Sequence, residues 1–270
     1  PYILSSIDES YAFRGAAPHD IRPSIYKGNA ENIREYEDMM RQPLTFYRAR
    51  KSLDTLGIKN MLHIPFDKRE KIATQRFSMP GIPCLYLATT TYGCWIEMGK
   101  PELEEFYVSR FSMPGDLKVL NLCIFQDCIN GLSSFCDERE YEASLSFLKA
   151  FPLVIATSFR NRNSDRTFKS EYIISQLIMQ SARDLGIDGV AYLSKKLPDN
   201  LAFPIAVNLA ILIPQAFSAD NKPELYWERI SDIELTKPLK YADACMYKKE
   251  LSENGSQYKS YVNNQFARHG

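Results

Sequence analysis

The segment RFSMPGIPCLYLATTTYGCWIE, residues 76–97, changes character twice along its length. Pro80-Gly81 and Pro83 punctuate a turn, and Cys84–Thr89 then runs as an apolar, β-prone stretch. From Thr91 to Met98 the spacing predicts a short helix carrying Trp95 and Glu97, with Gly99 as its stop. The order strand, turn, helix puts Glu97 near a strand end, where functional groups gather.

Upstream, Leu44-Thr45-Phe46-Tyr47-Arg48 is a second β-prone run, followed by a loop-rich stretch to Gln75. Before it, Asn29–Arg41 offers Ile33, Tyr36, Met39 and Met40 as a narrow helical stripe, an appendage or cover. Downstream, Phe106–Phe111 and Leu117–Cys123 read as strands joined hairpin-fashion through Met113-Pro114-Gly115-Asp116. Glu138–Ala150 reads as helix and Leu153–Thr157 as a further strand. The strongest helix is Lys169–Gly186, with Tyr172, Ile173, Leu177, Ile178, Ala182 and Leu185 at helical spacing. Gly189–Ser194 and Val207–Ile213 are β-like, and from Lys237 the chain is polar and charged, a loosely packed helix or disordered. Strands mixed with helices in this way predict an α+β fold.

At 270 residues the chain suits one elaborated domain or two small ones. Lys+Arg and Asp+Glu are equal at 33, so a polyanion such as nucleic acid is not the expected partner. No apolar run approaches the roughly 20 residues of a membrane span, and Pro1–Ser10 lacks a signal-peptide layout. A soluble, cytoplasmic protein is expected. Cys84, Cys94, Cys123, Cys128, Cys136 and Cys245 form no CxxC pair, and His19, His63 and His269 bring no partners, so no metal is assigned. The cysteines read as reduced core residues. Arg76-Phe77-Ser78-Met79-Pro80-Gly81 recurs letter for letter as Arg110-Phe111-Ser112-Met113-Pro114-Gly115 without flanking similarity: coincidence, or two similar strand-to-turn corners.

The sequence contains no Walker loop, GxGxxG, GxSxG or HExxH. What remains is a set of polar residues at strand ends: Arg48 and Arg50, Arg76, Tyr86, Glu97 and Ser194. Taken singly, an Arg beside an aromatic is a surface strand residue, Glu97 a solvated helix residue, Tyr86 a core tyrosine and Ser194 a turn residue.

In order, however, Phe46-Tyr47-Arg48, then Arg76 to Ala88, Cys94-Trp95-Ile96-Glu97, Gln176-Leu177, and Asp188-Gly189 leading to Ser194, resemble the RES domain family, named for an Arg, a Glu and a Ser. The resemblance spans about residues 44 to 214, with an insert at 99–168 and with extensions at 1–43 and 215–270. Gln75 replaces the Gly usual before the second Arg, and Ser78 replaces an Asn. Tyr11-Ala12-Phe13-Arg14-Gly15 is faintly similar to the start of FRG domains, whose later histidine block is absent.

The resemblance implies a mixed β core similar to ADP-ribosyltransferases, flanked by helices. It also implies NAD+ as substrate, cleaved at the nicotinamide–ribose bond by a glycohydrolase or phosphorylase that acts as a growth-inhibiting toxin. Toxins of this family pair with an Xre-type antitoxin, although the length of this chain speaks against such a pair. Residue by residue it casts Arg48 and Arg76 as pyrophosphate clamps, Tyr86 as a face for nicotinamide, Glu97 as the catalytic carboxylate and Ser194 as a ribose or phosphate contact. The residue types suit those roles. Arg50 is an alternative to Arg48, while Tyr92, Gln176 and Asn208 are expected to be structural. Transfer of ADP-ribose to a protein, or non-catalytic binding of NAD+ or a partner chain, are the competing readings. The catalytic readings require Arg48, Arg76, Tyr86, Glu97 and Ser194 to converge on one cleft.

Overall fold

A computed structural model describes residues 44–114, 117–123, 138–161, 168–198, 202, 205–214 and 228–244. The expected N-terminal helix at 29–41, the FRG-like segment, Cys128, Cys136, Cys245 and the tail beyond residue 244 lie outside them.

Eight strands form one mixed sheet: β1 (Leu44–Lys51), β2 (Cys84–Ala88), β3 (Phe106–Met113), β4 (Val119–Leu122), β5 (Gly189–Leu193), β6 (Val207–Leu212), β7 (Glu234–Leu235) and β8 (Leu239–Lys240). Their spatial order is β4-β5-β6-β2-β1-β3-β7, with β8 also on β3. Only β4 and β5 run parallel; the other pairs are antiparallel. Among the described residues, α1 (Ile58–Met61), α2 (Thr91–Glu97), α3 (Glu138–Thr157) and α4 (Ile173–Asp184) accompany the sheet. The domain is therefore α+β, as expected.

Alternation along the strands sorts side chains onto two faces. On one face Phe46, Leu85, Leu87, Phe111, Leu193, Leu209 and Ile211 form the main core, closed by Met61 and Phe66 from the connection after β1. On the other, Leu120, Leu122, Val190, Ala210 and Leu212 pack under α3 and α4, and Ala88 and Val108 meet Cys94 of α2. Burial of this apolar area, at roughly 25 cal/mol per Å², is the main force holding the helices to the sheet.

Several expectations are corrected. β3 and β4 are no hairpin: β3 pairs with β1, β7 and β8, whereas β4 lies at the opposite edge beside β5. All four residues of β4 are buried, and such a strand needs cover on both faces, which the main core supplies on one and α3 and α4 on the other. Leu153–Thr157 is the last turn of α3, not a strand. Ala150, Leu153 and Val154 are buried at helical spacing, so packing carries the helix past Pro152 despite the proline's missing N–H. The buried face of α4 is Ser175, Ile178, Met179 and Ala182, rotated from the expected stripe, so Ile173 and Leu177 stay 41% and 52% exposed. Lys237 onward also holds order, since Leu239–Lys240 is strand β8. The repeated hexapeptide takes two conformations: Arg110–Met113 is β3, whereas Arg76–Gly81 is a tight turn with a Gln75↔Ser78 bridge. The match is coincidence, and tertiary context decides each copy.

Gly99 and Gly186 follow helix ends at φ +80° and +68°, the conformation that stops α2 and α4 as expected. Gly189 matters for another reason. A Cβ there would sit 2.6 Å from the backbone oxygen of Ala210, across the β5–β6 ladder. Gly189→Ala is expected to lower stability by about 1–3 kcal/mol, read as an earlier midpoint in urea denaturation with unchanged slope.

Candidate active site

β1 is paired with β3 along its whole length, but with β2 only at Tyr47↔Ala88. Beyond that point the two strands part, and a cleft of about 650 Å³ opens between them. It is lined by Arg48 and Arg50 from β1, Cys84 and Tyr86 from β2, Glu97 from α2, and Ile72–Arg76 and Ser78 from the turn before β2. Tyr172, Tyr192 and Asn208 complete the side formed by α4, β5 and β6.

Arg48 enters where the strands separate. Its Nη1 donates to the carbonyl oxygen of Tyr86 at 3.0 Å, an acceptor that a continued β1–β2 ladder would have used. The residue is only 8% exposed, and its buried Nε has no hydrogen-bond partner. Burial, with Arg50 close by, pushes the guanidinium pKa down to about 9. Arg50 is better satisfied, with Nε donating to the carbonyl of Asn60 and Nη2 to that of Leu62. Arg48 thus has unspent donor capacity at the buried end of the cleft, an arrangement that an anion would relieve.

Glu97 is positioned from two sides. Thr90 caps α2 by accepting from the Gly93 N–H at 2.9 Å and donates to the Ile205 carbonyl, which ties the helix start to the chain entering β6. At the other end, Glu97 Oε1 accepts from Ser194 Oγ at 2.6 Å and from Asn208 Nδ2 at 2.8 Å. Both bonds fall on the same oxygen, while Oε2 accepts none from the described residues. Ser194 has no exposed surface; besides Glu97 it serves the Lys196 N–H, whose hydrogen bond it accepts. It therefore orients the carboxylate and does not itself face the cleft.

Tyr86 presents its ring to the cleft while its hydroxyl is engaged below, accepting from the Phe77 N–H and donating to Ser78 Oγ. Burial pushes its pKa well above the usual tyrosine value, so it stays neutral. The Ser78 that departs from the family pattern thus supports the turn through Tyr86, and Gln176 reinforces it by donating to the carbonyls of Gln75 and Ser78.

Arg76 lines the cleft, but two of its nitrogens serve the end of α3, donating to the carbonyls of Thr157 and Phe159 at 2.6 and 3.1 Å. These are orphan acceptors at a helix C-terminus. Its guanidinium also lies over the Tyr172 ring, 5.0 Å from the centroid.

Of the sequence candidates, Arg48, Arg76, Tyr86 and Glu97 meet at the cleft and Ser194 stands directly behind Glu97. Cys84 and Cys94 also border it, but burial pushes both thiols up to about 12, so they are inert thiols. Asn208, expected only to be structural, grips the carboxylate. Tyr192, whose pKa is raised first by burial and then by Glu97, and Tyr172 were not singled out in the sequence. For Asn208 a signal existed: it is the lone polar residue in the otherwise apolar strand Val207–Leu212, and such a residue must find a partner.

The charged lining is one-sided. Arg48, Arg50, Lys71, Arg76, Arg160, Lys169, Lys195 and Lys196 face a single carboxylate, Glu97, among the described residues. In a chain of zero net charge, this is a local concentration of positive potential suited to a small anionic ligand.

An α+β domain whose parted strands enclose a cationic cleft around one positioned carboxylate is the class of protein that fold and site define. Residues 45–230 match the model of the RES domain, and the chain belongs to that family. It is also 34% identical over 179 residues to a Bacillus subtilis (strain 168) protein named "Putative toxin YopC", an alignment covering 63% of this chain and 40% of that protein. The chain thus spans less than half the length of this relative. Among the described residues, no helix is long and apolar enough to cross a membrane.

Proposed function

We propose that the protein is a growth-inhibiting toxin that cleaves NAD+ at the nicotinamide–ribose bond. The observation that carries this reading is Glu97: a carboxylate with one oxygen held by Ser194 and Asn208 and the other left for a ligand, in a cleft that is otherwise cationic. The volume of about 650 Å³ lies within the range of about 300–1,000 Å³ usual for small-ligand sites. RES membership and the name of the Bacillus relative support the toxin role.

In this mechanism the pyrophosphate binds at the buried, under-satisfied guanidinium of Arg48, and the Tyr86 ring packs against the nicotinamide. Arg76 holds the end of α3 in place and lends its charge to the same wall. As the C1′–N bond breaks, the bonding pair leaves with nicotinamide, which becomes neutral, and positive charge develops on the ribose. Glu97 stabilises that charge through Oε2. A water molecule then adds to C1′ and releases a proton, giving ADP-ribose.

The test is direct. Purified protein incubated with NAD+ is expected to release free nicotinamide and ADP-ribose, followed by chromatography. No release at high protein concentration, with or without phosphate, overturns the reading. A labelled macromolecule in place of free ADP-ribose shifts it to ADP-ribose transfer onto protein.

A further inference from the structure

The cleft carries more positive charge than a dinucleotide pyrophosphate needs. NAD+ brings a pair of phosphate charges and a compensating positive charge on its nicotinamide, and the Arg48 end of the cleft suffices for these. The surplus cations lie on the opposite wall, where three separate chain segments meet. Arg76 bonds the carbonyls of Thr157 and Phe159, and Arg160, next along, donates to the carbonyl of Leu197. These bonds bring residues 157–160 against the turn carrying Lys196. Lys169 closes the group, with its Nζ 5.5 Å from the centroid of the same Tyr172 ring that Arg76 covers.

Like charges repel, and gathering them on one wall costs stability unless something compensates. Arg160, Lys169 and Lys196 form no ion pair among the described residues, although Asp and Glu are as abundant in the chain as Lys and Arg. A solvated face in a chain of balanced charge mixes both signs; among the described residues no acid lines this wall, and all three cations line the cleft.

We propose that Arg160, Lys169 and Lys196, beside the Arg76–Tyr172 stack, form a second anion subsite that takes a phosphate-monoester dianion. The group with this chemistry is the 2′-phosphate of a phosphorylated dinucleotide, NADP+. The inference rests on the dinucleotide reading of the cleft. Because it concerns binding, it stands or falls separately from turnover.

The experiment is calorimetric titration of the full chain with NAD+ and NADP+ at one fixed ionic strength, since screening weakens these contacts. The variants are Lys169→Ala/Lys196→Ala and its conservative counterpart Lys169→Arg/Lys196→Arg. Tighter binding of NADP+ than of NAD+ by about ten-fold or more, lost in the alanine variant and kept in the arginine variant, supports the 2′-phosphate as occupant. Equal affinity for the two dinucleotides overturns the proposal, as does an NADP+ preference that survives in the alanine variant. Nicotinamide release without any such discrimination leaves the proposed activity intact and removes the subsite; discrimination without release does the reverse.

Discussion

Glu97→Gln is expected to lower the rate of nicotinamide release by on the order of 10²–10³-fold while leaving the melting temperature nearly unchanged. The substitution keeps shape and volume. Its side-chain carbonyl can still accept from Ser194 and Asn208, the two bonds that hold Oε1 at 2.6 and 2.8 Å. What disappears is the negative charge that faces the developing positive charge on the ribose, an interaction far stronger in the transition state than in the ground state. The effect should therefore fall on kcat, with KM altered little. Full activity of the variant would remove Glu97 from the mechanism, and a collapse in melting temperature would assign it to the fold.

Glu97 was legible in the sequence because its setting is local. Pro80-Gly81, a β-prone run and a glycine stop are short-range signals, and they locate β2 and α2 within a residue or two. The order of Arg48, Arg76, Glu97 and Ser194 along the chain carried the family resemblance for the same reason.

What escaped depends on contacts between distant segments. Met113-Pro114-Gly115-Asp116 has the composition of a hairpin corner, yet β4 crosses to the far edge of the sheet. Turn chemistry describes the bend and says nothing about the strand's next neighbour. Leu153–Thr157 is β-like in composition, but its burial pattern is decided by α4 and the sheet beneath it. The same limit hid the second wall of the cleft, because Arg160, Lys169 and Lys196 are scattered in sequence and meet only through bonds to Thr157, Phe159 and Leu197. It also concealed the distinction between Arg48 and Arg76. Both are arginines near strand ends, but one is buried with an unsatisfied nitrogen and the other caps a helix.

That distinction underlies the second large effect. Arg48→Met is expected to weaken NAD+ binding by about 2–5 kcal/mol, measured by calorimetry, and at the same time to stabilise the unliganded protein by about 1–4 kcal/mol. The two changes have one origin. Arg48 is buried at 8% exposure and, among the described residues, bonded only to the Tyr86 carbonyl, with Nε unpaired, so the free protein bears the desolvation of a charge whose partner arrives with the ligand. Methionine fills a similar volume without that cost. The pH dependence gives the check on cause. With a folded pKa of about 9, well below the ordinary arginine value, Arg48 is charged in both states below pH 9, and the burial cost is fully present there. As pH rises through 9 the folded state loses the proton while the unfolded state keeps it, so the cost is progressively relieved. The stability advantage of Arg48→Met over the parent, read from urea denaturation, should accordingly be largest near pH 7 and shrink above pH 9. Over the same range the parent's affinity for NAD+ should fall as the guanidinium discharges. An advantage independent of pH would place the gain in packing, and a destabilised variant would show that the Tyr86 bond outweighs the buried charge.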